Sequence, residues 1–145
     1  MTTIAQTSPY IYYMAKIIKN YTELINKELE EYNIYFGDIP YLYCLTEHNN
    51  TTQENIAKIL GYNDATVTRA LKRLEKKEFI TKTTYPTDKR KKIIQITQQG
   101  EKATQIIKNK QEQIEKEIML DLTDTQKETT KEVLKVFLEK LEQKK

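Results

Sequence analysis

The sequence predicts a mainly α-helical protein with one small β-hairpin. Over most of the 145 residues, apolar side chains recur every three or four positions, which places them on one face of a helix. Between about residues 79 and 97 this spacing gives way to two runs of β-branched and aromatic residues around a proline. Together these patterns predict about six helices, with the hairpin between the fourth and the fifth.

A long first helix is expected from Ser8-Pro9, an N-cap followed by proline in the first helical position, to about residue 33. Asp38 can cap a second helix that ends near His48. The apolar face of this second helix contains Leu42, Leu45 and Cys44.

A capping box is predicted at residues 51–54, Thr-Thr-Gln-Glu, where it would begin a short third helix. Gly61 can end that helix in the left-handed conformation, and Asn63 or Asp64 can cap the next one. Two helices joined by such a short link containing glycine are typical of a helix-turn-helix.

The fourth helix, residues 64–77, is expected to bury one face and to expose a basic one. The buried face comprises Val67, Ala70, Leu71 and Leu74. The hairpin that follows has a basic tip, Pro-Thr-Asp-Lys-Arg at 86–90. A helix-turn-helix followed by a basic hairpin predicts a winged helix-turn-helix.

Two further helices complete the chain, a fifth from Thr97 or Gly100 and a sixth after a second capping box at 123–126. Their apolar stripes are narrow and their other faces are dense in Lys and Glu, so a partner chain is expected to cover the stripes. We therefore predict a tail and dimerisation helix at 1–33, a DNA-binding lobe at 34–98 and dimerisation helices at 99–145.

The positive charge is concentrated in one segment. Residues 66–92 contain ten Lys/Arg and three Asp/Glu, a net charge of +7 that leaves −4 for the rest. Such a concentration is typical of a surface that neutralises phosphates, although an ordinary charged helix is the alternative. Double-stranded DNA is the expected partner.

Other classes are not expected. No apolar run approaches the ~20 residues of a membrane span, and the N-terminus lacks the pattern of a secretory signal, which favours a cytoplasmic protein. One cysteine and one histidine exclude an intramolecular disulfide and provide no structural zinc site. We expect no metal, no cofactor and no enzymatic activity, because the sequence also has no Gly-rich phosphate loop and no nucleophile with a partner.

Four spaced motifs give the chain a family resemblance. They read TQENIA at 52–57, TVTRALKRLE at 66–75, DKR at 88–90 and ITQQG at 96–100. In this order they resemble the helix-turn-helix, the wing and the following helix start of the MarR (multiple antibiotic resistance regulator) family. One departure is Glu78, where that family usually has a glycine in the left-handed conformation. Either the turn has a different backbone conformation here, or Glu78 adopts the left-handed conformation and destabilises the fold by roughly 1 kcal/mol relative to glycine.

The recognition helix is expected to read bases with its N-terminal half. The predicted major-groove residues are Asn63, Ala65, Thr66 and Arg69, with a phosphate clamp as the alternative for Arg69. The residues expected to contact phosphates are Thr51, Thr52, Gln53, Thr68, Lys72, Arg73, Lys76, Lys89, Lys91 and Lys92. For Lys72, Arg73 and Lys76 the alternative is a face of the helix that is only solvated. The family resemblance implies that Arg90 enters the minor groove and that Asp88 positions it; the alternative is a charged hairpin turn.

An effector site is the least defined prediction. The resemblance implies release of DNA by a small aromatic or phenolic compound, and the residues expected to bind it are Tyr12, Tyr13, Lys16, Tyr41 and Tyr43. A structural role is the alternative, because a tyrosine stripe at helical spacing is more often part of a core or a dimer interface. A redox role for Cys44 would need an exposed thiolate of low pKa, which its apolar neighbours disfavour.

The expected function is that of a homodimeric, sequence-specific transcription regulator, a repressor acting on a pseudo-palindromic operator. The alternative is a winged-helix adaptor or architectural module that works through protein contacts.

Overall fold

The computed structural model describes residues 3–145, and within them the chain is mostly helical with one small sheet. The described part contains seven α-helices: α1 (Ile4–Thr7), α2 (Pro9–Leu29), α3 (Ile39–Glu47), α4 (Gln53–Leu60), α5 (Asp64–Lys76), α6 (Gln98–Ile118) and α7 (Asp124–Glu142). Its strands are β1 (Thr51–Thr52), β2 (Ile80–Tyr85) and β3 (Asp88–Ile96). The predicted fold class is confirmed, with a short α1 and the two-residue β1 as additions.

The chain divides into two compact units, one up to Lys110 and one from Gln111 to Lys145. The first unit holds the core, built from fully buried aliphatic side chains that include Ile25, Leu42, Ile56, Leu71, Leu74 and Ile94. In the second unit no residue of α7 is buried.

None of the described helices combines the length and the apolar character needed to cross a membrane.

The first long helix is shorter than predicted. α2 begins with Pro9 in its first turn, as expected, but the Ser8 side chain makes no capping hydrogen bond. The helix ends at Leu29 and continues as a 3-10 turn, Glu30–Tyr32, that closes on the left-handed Asn33 at φ 59°. Asparagine tolerates this conformation, so the chain can leave the helix here.

Asp38 precedes α3 but does not cap it, which corrects the prediction. Its side chain makes no capping bond to α3 and its backbone is already helical. The carboxylate is fully buried and turns instead towards α5.

The capping box predicted at residues 51–54 is wrong, because the N-cap lies one residue later than expected. The N-cap of α4 is Thr52, whose hydroxyl accepts a hydrogen bond from the amide of Asn55 at 3.2 Å. Thr51 lies in β1 and pairs with Ile94 of β3. The other box is confirmed, since the Thr123 hydroxyl accepts from the Gln126 amide at 3.1 Å and the Gln126 side chain accepts from the Thr123 amide at 2.9 Å.

The wing is an antiparallel sheet in the order β1-β3-β2. Its turn consists of Pro86 and Thr87 alone, so the prediction that Asp88, Lys89 and Arg90 lie in the turn is wrong. Pairing with β2 passes from Tyr85–Asp88 directly to Thr84–Lys92. Lys89, Arg90 and Lys91 therefore form an irregularity in β3 that has no register partner on β2.

Glu78 does adopt the left-handed conformation, at φ 64°. The Phe79 amide donates to the Leu74 carbonyl at 3.0 Å, and the Thr97 hydroxyl donates to the Glu78 carbonyl at 2.7 Å. The turn typical of a glycine is thus retained with glutamate.

Candidate nucleic-acid interface

The helix-turn-helix is built as the sequence predicts. α4 ends at Gly61 with φ 69°, and the amides of Gly61 and Tyr62 both donate to the Ala57 carbonyl, at 2.9 and 3.2 Å. The side chain of Asn63 then caps α5 by accepting from the Thr66 amide at 2.9 Å. The link can be this short because glycine adopts the left-handed conformation without the steric cost that other residues have.

α5 presents the predicted basic face to solvent. Val67, Ala70, Leu71 and Leu74 are buried, whereas Thr68, Arg69, Lys72 and Lys76 are exposed. The four residues proposed for the major groove lie together at the start of this helix. Of these, Asn63, Ala65 and Arg69 are exposed and Thr66 is half-buried.

The start of α4 is joined to α5 through two of the predicted phosphate contacts. The Gln53 amide nitrogen donates to the Thr68 hydroxyl at 2.6 Å, so both side chains face the same outer surface. Thr51 is the exception. It is buried and its hydroxyl accepts from the Asn55 side chain at 2.8 Å, so the structure does not support a phosphate contact for Thr51.

The wing carries its cations outward. Asp88 accepts a hydrogen bond from the Arg90 backbone amide at 3.0 Å, and the Arg90 Nε lies 3.5 Å from the same oxygen. The Arg90 side chain is 93% exposed, so this ion pair adds little to stability. Asp88 acts mainly on the Arg90 backbone, which leaves the guanidinium able to reach outward. Lys89, Lys91 and Lys92 are also exposed.

Arg73 has a contact that sequence reasoning missed. Its Nε donates to the buried carboxylate of Asp38 at 2.8 Å, and Lys77 Nζ donates to the other oxygen at 2.7 Å. The predicted phosphate contact at Arg73 must therefore share the guanidinium with Asp38. No local pattern signals this cluster, because its carboxylate and its cations are 35 and 39 residues apart in sequence.

The five residues predicted to bind an effector do not line one pocket. Tyr41 and Tyr43 are two positions apart on α3 and so point to opposite sides of it. Tyr41 is 3% exposed and its ring lies 6.0 Å from that of Tyr62. On α2, Tyr12 and Tyr13 meet edge to face at 5.4 Å, and Lys16 is exposed. One chain therefore does not bring all five residues together, and an effector site at these residues stays a prediction.

Tyr43 instead lines an open cleft in the first unit with a volume of about 510 Å³. The other lining residues are Thr46, Glu101, Thr104, Gln105 and Lys108. A tyrosine ring beside a lysine ammonium can receive an anionic aromatic molecule.

Cys44 does not have the surroundings of a redox sensor. The residue is 5% exposed, and burial raises the pKa of its thiol above the ordinary value. The thiol therefore stays protonated at neutral pH, whereas a sensor needs a reactive thiolate. Among residues 3–145 there is also no cluster of three or more His, Cys, Asp or Glu suited to a metal ion.

Comparison with known proteins agrees with this geometry. The model of the MarR family matches residues 38–92. A Bacillus subtilis protein named as the uncharacterized HTH-type transcriptional regulator YwoH is 32% identical over 114 residues, covering 79% of this chain and 82% of that protein.

Solved structures share the fold over nearly the whole chain. The Staphylococcus aureus MepR-DNA complex has a TM-score of 0.79 at 25% identity, covering 97% of this chain and 99% of that one. Staphylococcus aureus MarR in complex with salicylate and kanamycin has a TM-score of 0.84 at 23% identity, covering 99% and 100%. Motifs, fold and relatives agree: the chain belongs to the MarR family of winged helix-turn-helix transcriptional regulators.

Proposed function

We propose that the chain is a cytoplasmic, homodimeric repressor that binds a pseudo-palindromic operator and releases it when a small aromatic or phenolic ligand binds. The observation that carries the DNA-binding part is the shared exposure of two basic elements, the outer face of α5 and the wing, in one lobe. Both belong to the segment of net charge +7.

Each element has a role that its geometry supports. The start of α5 enters the major groove, where Arg69 can donate two hydrogen bonds to a guanine and Thr66 can offer a hydroxyl or a methyl group. Lys72 and Lys76 follow on the same helix and contact phosphates, as do Thr52, Gln53 and Thr68. Arg90 enters the minor groove, whose negative potential is strongest where A·T tracts narrow it. A Staphylococcus aureus relative, MepR, has been solved as a DNA complex.

Dimerisation is supported by apolar side chains that each terminal segment exposes. On α2 these are Ile11, Ile17 and Ile18, and on α7 they are Val133, Leu134, Leu138 and Leu141. Exposed apolar patches of this extent are typical of an interface. We propose that residues 1–33 and 99–145 provide it, and that the symmetric pair presents two lobes to successive major grooves.

The proposed effector site is the cleft beside Tyr43. Lys108 provides a cation and Tyr43 a ring, and Glu101 adds an anion to the lining. The hydroxyls of Thr46 and Thr104 donate to the Leu42 and Gly100 carbonyls, so towards a ligand they can only accept. The Staphylococcus aureus MarR relative was solved with salicylate, an anionic phenol, and this cleft suits the same chemistry.

Selection from a duplex library of random sequence tests the function whatever the operator sequence is. The wild-type protein should enrich a motif with two inverted halves about one helical turn apart. Failure to enrich any motif would contradict sequence-specific binding and favour the adaptor alternative. Addition of salicylate should then lower affinity for the selected duplex; no change would remove salicylate-like ligands from the proposal.

Single substitutions separate the proposed contacts. Arg69→Ala should relax the preference at one position of each half-site, whereas a uniform loss on all duplexes would identify a phosphate contact instead. Arg90→Ala should weaken binding to the selected duplex and leave the protein dimeric. Lys140→Ala, which removes the same charge from α7, should leave affinity nearly unchanged. Equal effects of the Arg90 and Lys140 variants would contradict the minor-groove role.

A further inference from the structure

A fully buried carboxylate joins the recognition helix α5 to the turn that precedes α3. Asp38 Oδ1 accepts from Arg73 Nε at 2.8 Å, and Oδ2 accepts from Lys77 Nζ at 2.7 Å. The backbone amide of Tyr35 also donates to Oδ2, at 3.0 Å. Because each oxygen receives a charged donor, the carboxylate is compensated in spite of its burial.

The same turn, residues 35–38, is attached to α2. The Phe36 amide donates to the Asn26 side-chain oxygen at 2.7 Å, and the rings of Phe36 and Tyr21 meet edge to face at 6.1 Å. The Lys77 ammonium lies 4.3 Å from the centre of the Tyr35 ring. Polar and aromatic contacts therefore run from α2 through this turn to the end of α5.

The two cations of the cluster differ in their exposure to solvent. The Lys77 side chain is 8% exposed, so its ammonium interacts with groups inside the protein. The Arg73 side chain is 39% exposed and Asp38 engages its Nε. A guanidinium has five N–H donors in a fixed plane, so one edge can bind Asp38 while another faces outward. Arg73 also lies one helical turn after the exposed Arg69, on the same side of α5.

We propose that Asp38 is a positioning residue for sequence-specific DNA binding. It holds the Arg73 guanidinium so that the outer edge meets a backbone phosphate, and this contact sets the register of Arg69 against the bases. Phosphate contacts orient a protein on the duplex, and base contacts carry the sequence information. Loss of the positioner should therefore lower discrimination between sequences more than it lowers general affinity for DNA.

This inference rests on the proposed DNA-binding function, and the test distinguishes the two. Asp38→Asn removes the charge and keeps the size of the side chain. Glu75→Gln is the matched control, because it makes the same charge change on α5 at an exposed carboxylate that lies 3.9 Å from Lys82. Affinity of each variant is measured by fluorescence anisotropy for the duplex selected by the wild type and for a scrambled duplex.

Asp38→Asn should reduce the ratio of selected to scrambled affinity by about ten-fold, the loss expected when one charge-assisted contact is misplaced. Glu75→Gln should leave that ratio unchanged, and the two variants should differ less in affinity for the scrambled duplex than in affinity for the selected one. Equal ratios for the two variants would overturn the role of Asp38. If the wild type selects no motif, the proposed function itself fails.

A second variant keeps the proposal testable if Asp38→Asn does not fold, as judged by circular dichroism. Arg73→Lys retains the charge, but a single ammonium cannot bind Asp38 and an outward phosphate with two separate edges. This variant should lose discrimination to a similar extent while it binds the scrambled duplex nearly as well as the wild type. An unchanged ratio in Arg73→Lys would overturn the proposal.

Discussion

Glu78 occupies a backbone conformation that few side chains adopt readily. Of the three non-glycine residues with positive φ among residues 3–145, Asn33 and Asn50 are asparagines, which tolerate it. Glu78 is the third, and no side-chain property of glutamate favours the left-handed region. Its carbonyl accepts from the Thr97 hydroxyl, so contacts on both sides of the turn hold the conformation in place.

Replacing Glu78 with glycine should therefore raise the free energy of unfolding by roughly 0.5–1 kcal/mol, since glycine takes this conformation without a steric cost. Urea denaturation followed by circular dichroism measures the change. Glu75→Gly, three residues earlier and inside α5, should instead lower stability by about 1 kcal/mol. Equal destabilisation by both substitutions would show that Glu78 is not strained.

At the level of the elements, the start of α6 depends on the close approach of two backbones. A side-chain carbon on Gly100 would lie 2.2 Å from the Phe79 carbonyl oxygen and 2.7 Å from a side-chain carbon of Ile96. The glycine therefore allows α6 to begin directly against the turn that follows α5. The sequence motif ITQQG thus ends in a residue required by packing.

Gly100→Ala should lower the free energy of unfolding by about 1–3 kcal/mol, although alanine is the better helix former, because backbone atoms must move apart. Thermal and urea denaturation measure the loss. Gln99→Ala is the control, since residue 99 is exposed on the same helical turn, and it should be nearly neutral. A stabilised Gly100→Ala would mean that helix propensity dominates there.

The sequence predicted an element correctly where the residues that determine it lie close together along the chain. Gly61, the Asn63 cap and the capping box at Thr123 were predicted correctly because each is determined by residues within three or four positions. Strand β1 was not predicted, because its two residues form a strand only by pairing with the distant β3. That pairing also takes Thr51 into the sheet, so Thr52 becomes the cap.

The same distinction applies to the candidate site. The exposed basic face of α5 follows from helical periodicity, and the basic wing follows from composition and turn residues. The partner of Arg73 could not be predicted, because Asp38 matches the local pattern of a helix cap and its real role depends on a distant helix. The effector residues stay a prediction, and their spacing along α3 places Tyr41 and Tyr43 on opposite sides of that helix.

At the level of the whole molecule, α7 has an apolar face that its own unit leaves open. Leu134 and Leu138 are 49% and 57% exposed, and they lie four positions apart on one side of the helix. A chain that keeps such a face in water loses the free energy that burial would provide. This supports the proposal that function requires two copies.

The double substitution Leu134→Glu/Leu138→Glu should convert the proposed dimer into a monomer, because it places charges on the proposed interface. Sedimentation velocity measures the mass, and circular dichroism shows whether the helices persist. Gln143→Glu, which adds charge at an exposed position near the end of the chain, should remain dimeric. A double variant that sediments as a dimer would place the interface elsewhere.

The pairing of Thr51 with Ile94 has a consequence for how the lobe unfolds. It closes a long loop around α4, α5 and β2, so β1 can join the sheet only when the chain on both sides of the helix-turn-helix has come together. Backbone amides at Ile93 and Ile94 should thus exchange with solvent only when the entire lobe opens. At Lys89 and Lys91, where β2 offers no register partner, exchange should be fast. The wing therefore combines a slowly exchanging base with a tip that can adapt to the groove it enters.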